Sequence, residues 1–263
     1  MDAMDLLIDL HGNANRQGPG SDQTTQQAIQ LAELDGTKPL TIADIGCGTG
    51  ASSIVLAKIL NKQRANESAP NTHITAVDFL QPFLDSLTTR VTEAGFSEAI
   101  TPLCASMDAL PFDDGSFDVL WSEGAIYNIG FQAGIEAWRR YLKPGGVLVV
   151  SEITWLTDSR PEAIETYWNT AYPEINTAST KIGQLERHGY SPIGYFTLPE
   201  SCWLDEYYRP IQKRLDDFLQ RHDHSADAQA IAEQEREEIA LYEQYKDYYS
   251  YGVYIARKSS EQS

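Results

Sequence analysis

Residues 40–51 read Leu40-Thr41-Ile42-Ala43-Asp44-Ile45-Gly46-Cys47-Gly48-Thr49-Gly50-Ala51. A short apolar run stops at three glycines set at alternate positions, and a stretch of helical composition from Ala51 to Ile59 follows. The apolar run has the length of a buried strand, so the segment reads as strand, tight loop, helix. Glycine has no Cβ, so it lets the backbone turn sharply and bring its N–H groups close to a ligand. The helix N-terminus behind the loop adds a partial positive charge. In open α/β sheets, ligands settle at the carboxyl ends of the strands. A tight turn without a ligand is the plain alternative, but three glycines at alternate positions exceed what a turn requires.

The same alternation extends downstream. His73–Val77 reads as a strand ending at Asp78, and Gln81–Glu93 as a helix with Pro82 in its first turn. Strands near Ile100–Cys104 and over Phe117–Trp121 follow, then a helix over Gly134–Tyr141. Leu142–Gly146 (LKPGG) reads as a turn, and Val147–Ser151 as a buried strand. Residues 61–72 are polar and loop-like. Strands alternating with helices imply a parallel sheet covered on both faces.

After Ser151 the rhythm changes. Trp155–Tyr172 is aromatic and helical with flanking loops, Thr180–His188 a helix, and Gly194–Leu198 a strand. Leu204–Gln220 and Ala226–Tyr249 read as polar helices, and Gly252–Ala256 as a final strand. Upstream, Gly18-Pro19-Gly20 punctuates a polar segment, with Ser21 or Asp22 capping the helix that follows. The expected organisation is an N-terminal helical flap over 1–37 and a main domain over 38–263. The main domain carries a lid segment at 152–178 and a helical insertion at 204–249.

Bulk properties narrow the setting. With 263 residues, 42% of them hydrophobic, the chain can bury one sizeable core plus a cap. No apolar run approaches the length of a bilayer span, and the first thirty residues lack the apolar core of a secretory signal. Cys47, Cys104 and Cys202 have no metal-site or disulfide spacing, so no metal is expected and a cytoplasmic setting is. A net charge of −18 repels phosphate backbones and argues against nucleic acid as a partner. A membrane partner is not expected either, and the oligomeric state is open, a homodimer included. His222 and His224 read as an exposed loop, and the tyrosines from Tyr242 to Tyr251 as packing groups.

Asp78 ends the second strand, one βαβ step after the glycine loop. An acid there points into the ligand crevice and can accept bonds from both hydroxyls of a ribose. As an isolated residue it would read as a helix N-cap. The glycine spacing G-x-G-x-G departs from the dinucleotide pattern G-x-G-x-x-G, although Ala51 stands at the third-glycine position. No Gly-Lys-Ser/Thr follows, so the loop is not a P-loop.

Taken in order, Ala43–Gly50, Val77-Asp78, Leu110–Asp113 with Ser116-Phe117-Asp118, and Tyr141–Gly146 resemble class I S-adenosylmethionine-dependent methyltransferases. The nearest type is the small-molecule enzymes of ubiquinone biosynthesis. The resemblance covers roughly residues 38–155. It implies a Rossmann-like α/β fold with a seven-stranded, mostly parallel sheet whose last strand is antiparallel. It also implies S-adenosyl-L-methionine as cofactor and S-adenosyl-L-homocysteine as product. Gly46, Cys47 and Gly48 would line the methionine part, with Asp44 supporting its ammonium group. Asp78 would hold the ribose, Phe79 would pack on the adenine, and Ser106-Met107-Asp108 would meet the adenine edge. The sequence departs from the family at Ser106, where an acid is usual, which leaves that contact to Asp108. It departs again at Tyr127-Asn128, where relatives place a histidine pair.

Ser122 and Glu123 follow the fourth strand, and Glu123 would meet the cofactor's ammonium or a substrate amine, an exposed loop acid being the alternative reading. Arg16 and Gly20 would belong to a flap over the cofactor, with Arg16 reaching its carboxylate, a linker turn being the alternative reading. Tyr127, Trp155, Trp168 and Tyr172 are the candidate acceptor contacts, lid core being their alternative reading. Glu123, Tyr127 and His11 are the candidate general bases, needed only where the acceptor arrives protonated. Methyl transfer to a small-molecule O, N, S or C nucleophile is the expected function. An NAD-dependent oxidoreductase and a catalytically silent cofactor-binding protein are the competitors.

Overall fold

A computed structural model describes residues 3–12, 14–35, 37–61 and 72–259. Most of the expected 61–72 loop lies outside the described residues. The sheet runs β3-β2-β1-β4-β5-β8-β7, with the two-residue β6 beside β5. Its strands are β1 (Leu40–Ile45), β2 (Thr72–Asp78), β3 (Ile100–Cys104), β4 (Phe117–Ser122), β5 (Leu142–Trp155), β6 (Asn176–Thr177), β7 (Tyr190–Thr197) and β8 (Tyr249–Lys258). β1 to β5 pair in parallel, and β8 lies antiparallel between β5 and β7. The order reverses between β1 and β4, which puts the crevice at the carboxyl ends of those two strands.

The strands are apolar on both sides because both faces are covered. Ile42, Val119, Trp121, Val147 and Val149 face one core, shared with α3 (Ala51–Leu60) and α4 (Gln81–Ala94). Ala43, Ile45, Leu120, Leu148 and Val150 face the other, with Phe131, Ile135 and Trp138 of α5 (Phe131–Trp138). Leu185 of α7 (Ala178–Arg187) closes that side.

Several boundaries differ from the sequence reading. β5 starts at Leu142 and not at Val147: Phe117 pairs with Leu142 and Val119 with Val147, so residues 143–146 bulge out within one strand. α5 begins at Phe131 because Gly130, at φ +88°, sets its start. The expected helix to Tyr249 ends at Tyr245, since Tyr249 already pairs with Trp155 in the β5–β8 ladder.

Upstream, α1 (Ala3–His11) precedes α2 (Asp22–Leu31), whose N-cap is a reciprocal Ser21–Thr24 capping box. The aromatic segment 152–178 contains α6 (Glu162–Ala171). A short α8 (Glu200–Trp203) runs through a π-helical turn into α9 (Arg209–Arg221), which α10 (Ala226–Tyr245) follows. α1 packs on α9 and α10 through Leu6 and Leu10. Asp9 fastens it by accepting from Arg221 at 2.7 Å and contacting His222 at 2.9 Å. His222 is therefore half-buried against α1, not loose in an exposed loop. The tyrosines downstream pack as expected: Tyr242 stacks on Trp203 at 4.5 Å between ring centres.

Lys181 of α7 donates to Glu152 of β5 at 2.8 Å, and both side chains are 0% exposed. The ammonium also sits 4.5 Å from the centre of the Phe131 ring. Burial pushes the Glu152 carboxyl upward, and Lys181 opposes it. Breaking such a pair leaves an uncompensated buried charge, which costs about 3–5 kcal/mol. Lys181→Met should therefore lower unfolding free energy in urea by about that amount, and adding Glu152→Leu should restore most of it. A single variant within about 1 kcal/mol of the parent would show that the pair is not needed for stability.

Candidate cofactor and acceptor site

The glycine loop is held by its own amides. Gly46 and Cys47 both donate to the Val77 carbonyl, at 2.8 and 2.9 Å. Gly48 donates to Asp78 Oδ2 at 2.9 Å, Thr49 to Gln17 Oε1 at 2.8 Å, and Gly50 to the Cys47 carbonyl at 2.9 Å. This corrects the expectation that the loop presents its amides to a ligand, because protein acceptors take all five. The glycines themselves answer to packing. A Cβ at Gly46 (φ +75°) would fall 2.3 Å from the Ala125 Cβ, and one at Gly48 (φ +54°) 2.3 Å from Gln17 Oε1.

Asp78 completes this unit. Its Oδ1 accepts from the Leu80 amide at 2.9 Å. Burial raises its pKa, and the amides of Leu80 and Gly48 oppose the rise. Each oxygen keeps a lone pair, so two further hydroxyl donors fit. Phe79, next in line, is 68% exposed at the cavity rim, an open apolar face beside the acid.

Asp44 sits wholly buried beneath the loop. Oδ2 accepts from Ser52 and Ser53 at 2.7 and 2.6 Å, while Oδ1 has no partner. Burial pushes its carboxyl up to about 6, against the pull of the two hydroxyls. Ser122, also buried, leaves its Oγ without a partner at the end of β4. A cation brought to the bare Asp44 oxygen would satisfy it.

Residues 14–20 cross the mouth of this crevice. Arg16 donates to Glu123 Oε2 at 2.9 Å, and Gly20 is bare where a Cβ would meet the guanidinium at 2.9 Å. Glu123 Oε1 accepts from Thr25 at 2.7 Å and from Trp121 at 3.0 Å. Gln17 ties the segment to the loop through Thr49, and Arg90 binds the Asn15 carbonyl at 3.0 Å. Neither Gln17 nor Arg90 stood out in the sequence, because both act on partners far along the chain.

A cavity of about 630 Å³ unites most of the expected site. His11, Arg16, Gly46, Cys47, Gly48, Asp78, Phe79, Ser106, Met107, Asp108, Glu123 and Tyr127 all line it. Ser106 donates to Asp108 Oδ1 at 2.5 Å, which links the two residues weighed for the adenine edge. His11 Nε2 lies 3.0 Å from Glu235 Oε1. Asp44, Ser122 and Gly20 lie behind the wall. Trp155 and Trp168 lie away from it: Trp155 is buried under Arg160, whose guanidinium is 4.3 Å from its ring centre, and Trp168 packs edge-on to Tyr249 at 5.2 Å. Tyr172 backs the wall, edge-on to Tyr127 at 6.3 Å, with its hydroxyl accepting from the Phe131 amide.

Residues 42–146 match the family model described as a methyltransferase domain. The chain thus carries a segment that matches a methyltransferase domain, and curated relatives are methyltransferases by name. A demethylmenaquinone methyltransferase of Mycolicibacterium gilvum is 27% identical over 198 residues, covering 74% of this chain and 72% of its own. Some curated relatives at 30% identity or above match over half their own length or less. A methyltransferase from Geobacter sulfurreducens, solved with S-adenosyl-L-homocysteine, superposes with a TM-score of 0.80 at 17% identity, covering 96% of this chain and 97% of that one. The [4+2]-cyclase SpnF superposes at 0.72 with 20% identity, covering 98% and 92%. At such identities the likeness is one of fold.

Gly48→Ala should lower unfolding free energy by about 1–3 kcal/mol, combining a left-handed backbone penalty with displacement of Gln17. Gln17→Ala leaves the backbone relaxed and should cost about 1 kcal/mol while accelerating hydrogen exchange at the Thr49 amide. Unchanged Thr49 protection in Gln17→Ala would mean that the segment does not depend on this clasp.

Proposed function

We propose that this chain is a methyltransferase that binds S-adenosyl-L-methionine in the β1–β4 crevice and methylates a small-molecule acceptor in the same cavity. The carrying observation is the balance of donors and acceptors. Every loop amide from Gly46 to Gly50 is taken, while Asp78 keeps free lone pairs and Asp44 a bare oxygen. A pyrophosphate needs donors, whereas a ribose and an ammonium need acceptors. That balance disfavours the NAD-dependent alternative.

When bound, the cofactor supplies a methyl already activated on a sulfonium, so the protein has only to bind, align and keep water out. Alignment of that kind is worth on the order of 7–11 kcal/mol. In this reading Asp78 takes the ribose hydroxyls and Phe79 covers the adenine, whose edge meets Ser106, Met107 and Asp108. Gly46, Cys47 and Gly48 flank the methionine part. Glu123 meets the ammonium in the cavity, Asp44 and Ser122 support it from beneath the loop, and Arg16 faces the carboxylate in the room left by Gly20. Arg16 and Glu123 pair with each other, so each already stands opposite a charge of the kind it would receive. Tyr127 touches the acceptor with Tyr172 behind it, and Trp155 and Trp168 stiffen the lid from its core. Glu123 is committed to three donors, which leaves Tyr127 and His11 as the groups for an acceptor proton. The flap (1–37), the lid (152–178) and the insertion (204–249) shape the acceptor side, and the cytoplasm is the setting. No helix among the described residues is long and apolar enough to cross a membrane.

Calorimetry with S-adenosyl-L-homocysteine tests the assignment. Asp78→Ala should weaken binding by about 1.5–3 kcal/mol, the worth of hydrogen bonds to a charged group. Unchanged affinity in a folded variant would remove Asp78 from the site. The raised carboxyl of Asp44 gives a pH signature. The folded state holds its proton between about 4 and 6, so in the free protein Asp44 contributes stability at low pH that is lost as pH rises through that window. Ligand affinity should move the other way, rising from about pH 5 to 7 as the carboxylate forms to meet the ammonium. Asp44→Asn should flatten that rise while leaving thermal stability at pH 7.5 equal or higher. An identical pH profile in the variant would assign the ammonium to other groups.

A further inference from the structure

α1 carries two apolar faces. Leu6 and Leu10 are buried against α9 and α10. Met4, Leu7, Ile8 and His11 fall at i, i+3, i+4 and i+7, a second helical stripe, and all four line the cavity. Met4 is 50% exposed and Leu7 37%, so two large apolar side chains face the cavity without protein to cover them. Exposed apolar groups gathered at one rim mark a binding surface, whereas scattered ones do not.

The electrostatics of the cavity set the occupant. With the cofactor in place the charged groups opposite are used: Arg16 and Glu123 pair with each other and face its two charges, Asp78 serves two amides and the ribose, and Asp108 accepts from the Ser106 hydroxyl. On the α1 side His11 is held by Glu235 of α10 and stacks on Tyr207 at 6.4 Å between ring centres. A charged group lying along Met4, Leu7 and Ile8 would meet no counter-ion, and leaving a charge unpaired away from water is costly. The unpartnered polar atoms, His11 Nδ1 and Glu235 Oε2, lie at the far end of the stripe. An apolar acceptor would cover Met4 and Leu7 and gain from leaving water.

Building on the methyltransferase reading, we infer that α1 is the acceptor-selecting wall. Met4, Leu7 and Ile8 form a track for an acceptor with an apolar body, and its nucleophile lies at the Tyr127, Tyr207 and His11 end. The helices at 204–249 then have a function: α9 and α10 are the platform that holds this wall in place through Leu6, Leu10, Asp9 and the His11–Glu235 contact. A lipid surface is the competing occupant. Nothing in the geometry favours it over a ligand continuous with the cofactor cavity, and a net charge of −18 repels anionic bilayers.

The test uses the full chain loaded with S-adenosyl-L-homocysteine, with two probes read by calorimetry: 2-naphthol, an apolar bicyclic phenol, and sarcosine, a zwitterionic amine. The loaded protein should bind 2-naphthol and not sarcosine. Met4→Gln/Leu7→Gln should weaken 2-naphthol about tenfold or more, the scale of losing apolar side-chain burial, and leave S-adenosyl-L-homocysteine affinity within about twofold. Both positions are exposed, so the variant should fold. Preference for sarcosine, or 2-naphthol affinity untouched by the double variant, overturns the inference. So does binding of the free protein to phosphatidylcholine vesicles that the double variant abolishes while 2-naphthol affinity stays the same. Failure of the parent protein to bind S-adenosyl-L-homocysteine is a separate outcome, read first, that removes the cofactor reading and this inference with it.

Discussion

The Val77 carbonyl accepts the amides of Gly46 and Cys47, and the site is built around that junction. It ties the exit of β1 to the exit of β2, so the chain must turn within the glycines and the next side chain, Asp78, swings onto the Gly48 amide. The acid and the loop are thus one unit. Gly46 is required because Ala125, at the exit of β4, packs where its Cβ would be. Three strand ends are drawn together at one point, and the crevice is the space above them. Using the amides for this purpose has a chemical consequence: the glycine loop keeps no free amide for a phosphate, while the acid beside it keeps lone pairs for hydroxyl donors.

Outside that unit, the chain builds a cover. The N-terminal segment lies over the crevice by contacts of large sequence separation: Gln17 to Thr49, Arg16 to Glu123, Asn15 to Arg90. α9 and α10 extend past the sheet and receive α1. The family model spans residues 42–146, and the cavity-lining residues of α1, of the segment after it and Tyr207 lie outside it. Function on a shared fold sits in such additions, and the likeness in fold to a [4+2]-cyclase illustrates how far they can take it.

The sequence was legible where the determinants are local. Strand, glycines and helix follow one another within residues 40–60, and Asp78 is recognisable by its place at a strand end. What it hid is of two kinds. Residues 143–146 look like a turn, and they do bulge, but the β4 ladder resumes on both sides and makes one long β5. Gln17, Arg90 and Glu235 look like ordinary polar surface residues, since their partners are brought near only by the fold. Trp155 and Trp168 drew attention as aromatics in a lid, yet their rings are used within the protein against Arg160 and Tyr249. The Met4-Leu7-Ile8-His11 spacing was visible all along. It took the packing of Leu6 and Leu10 to show that this stripe is the second face of the helix and looks into the cavity.

A co-crystal structure with S-adenosyl-L-homocysteine at neutral pH is the decisive measurement. The expected result is ligand in the β1–β4 crevice, with its ribose on Asp78, its adenine beside Phe79 and its ammonium on the Asp44 side, while Met4 and Leu7 still face open space. Ligand bound elsewhere, or a ribose that does not engage Asp78, would contradict it.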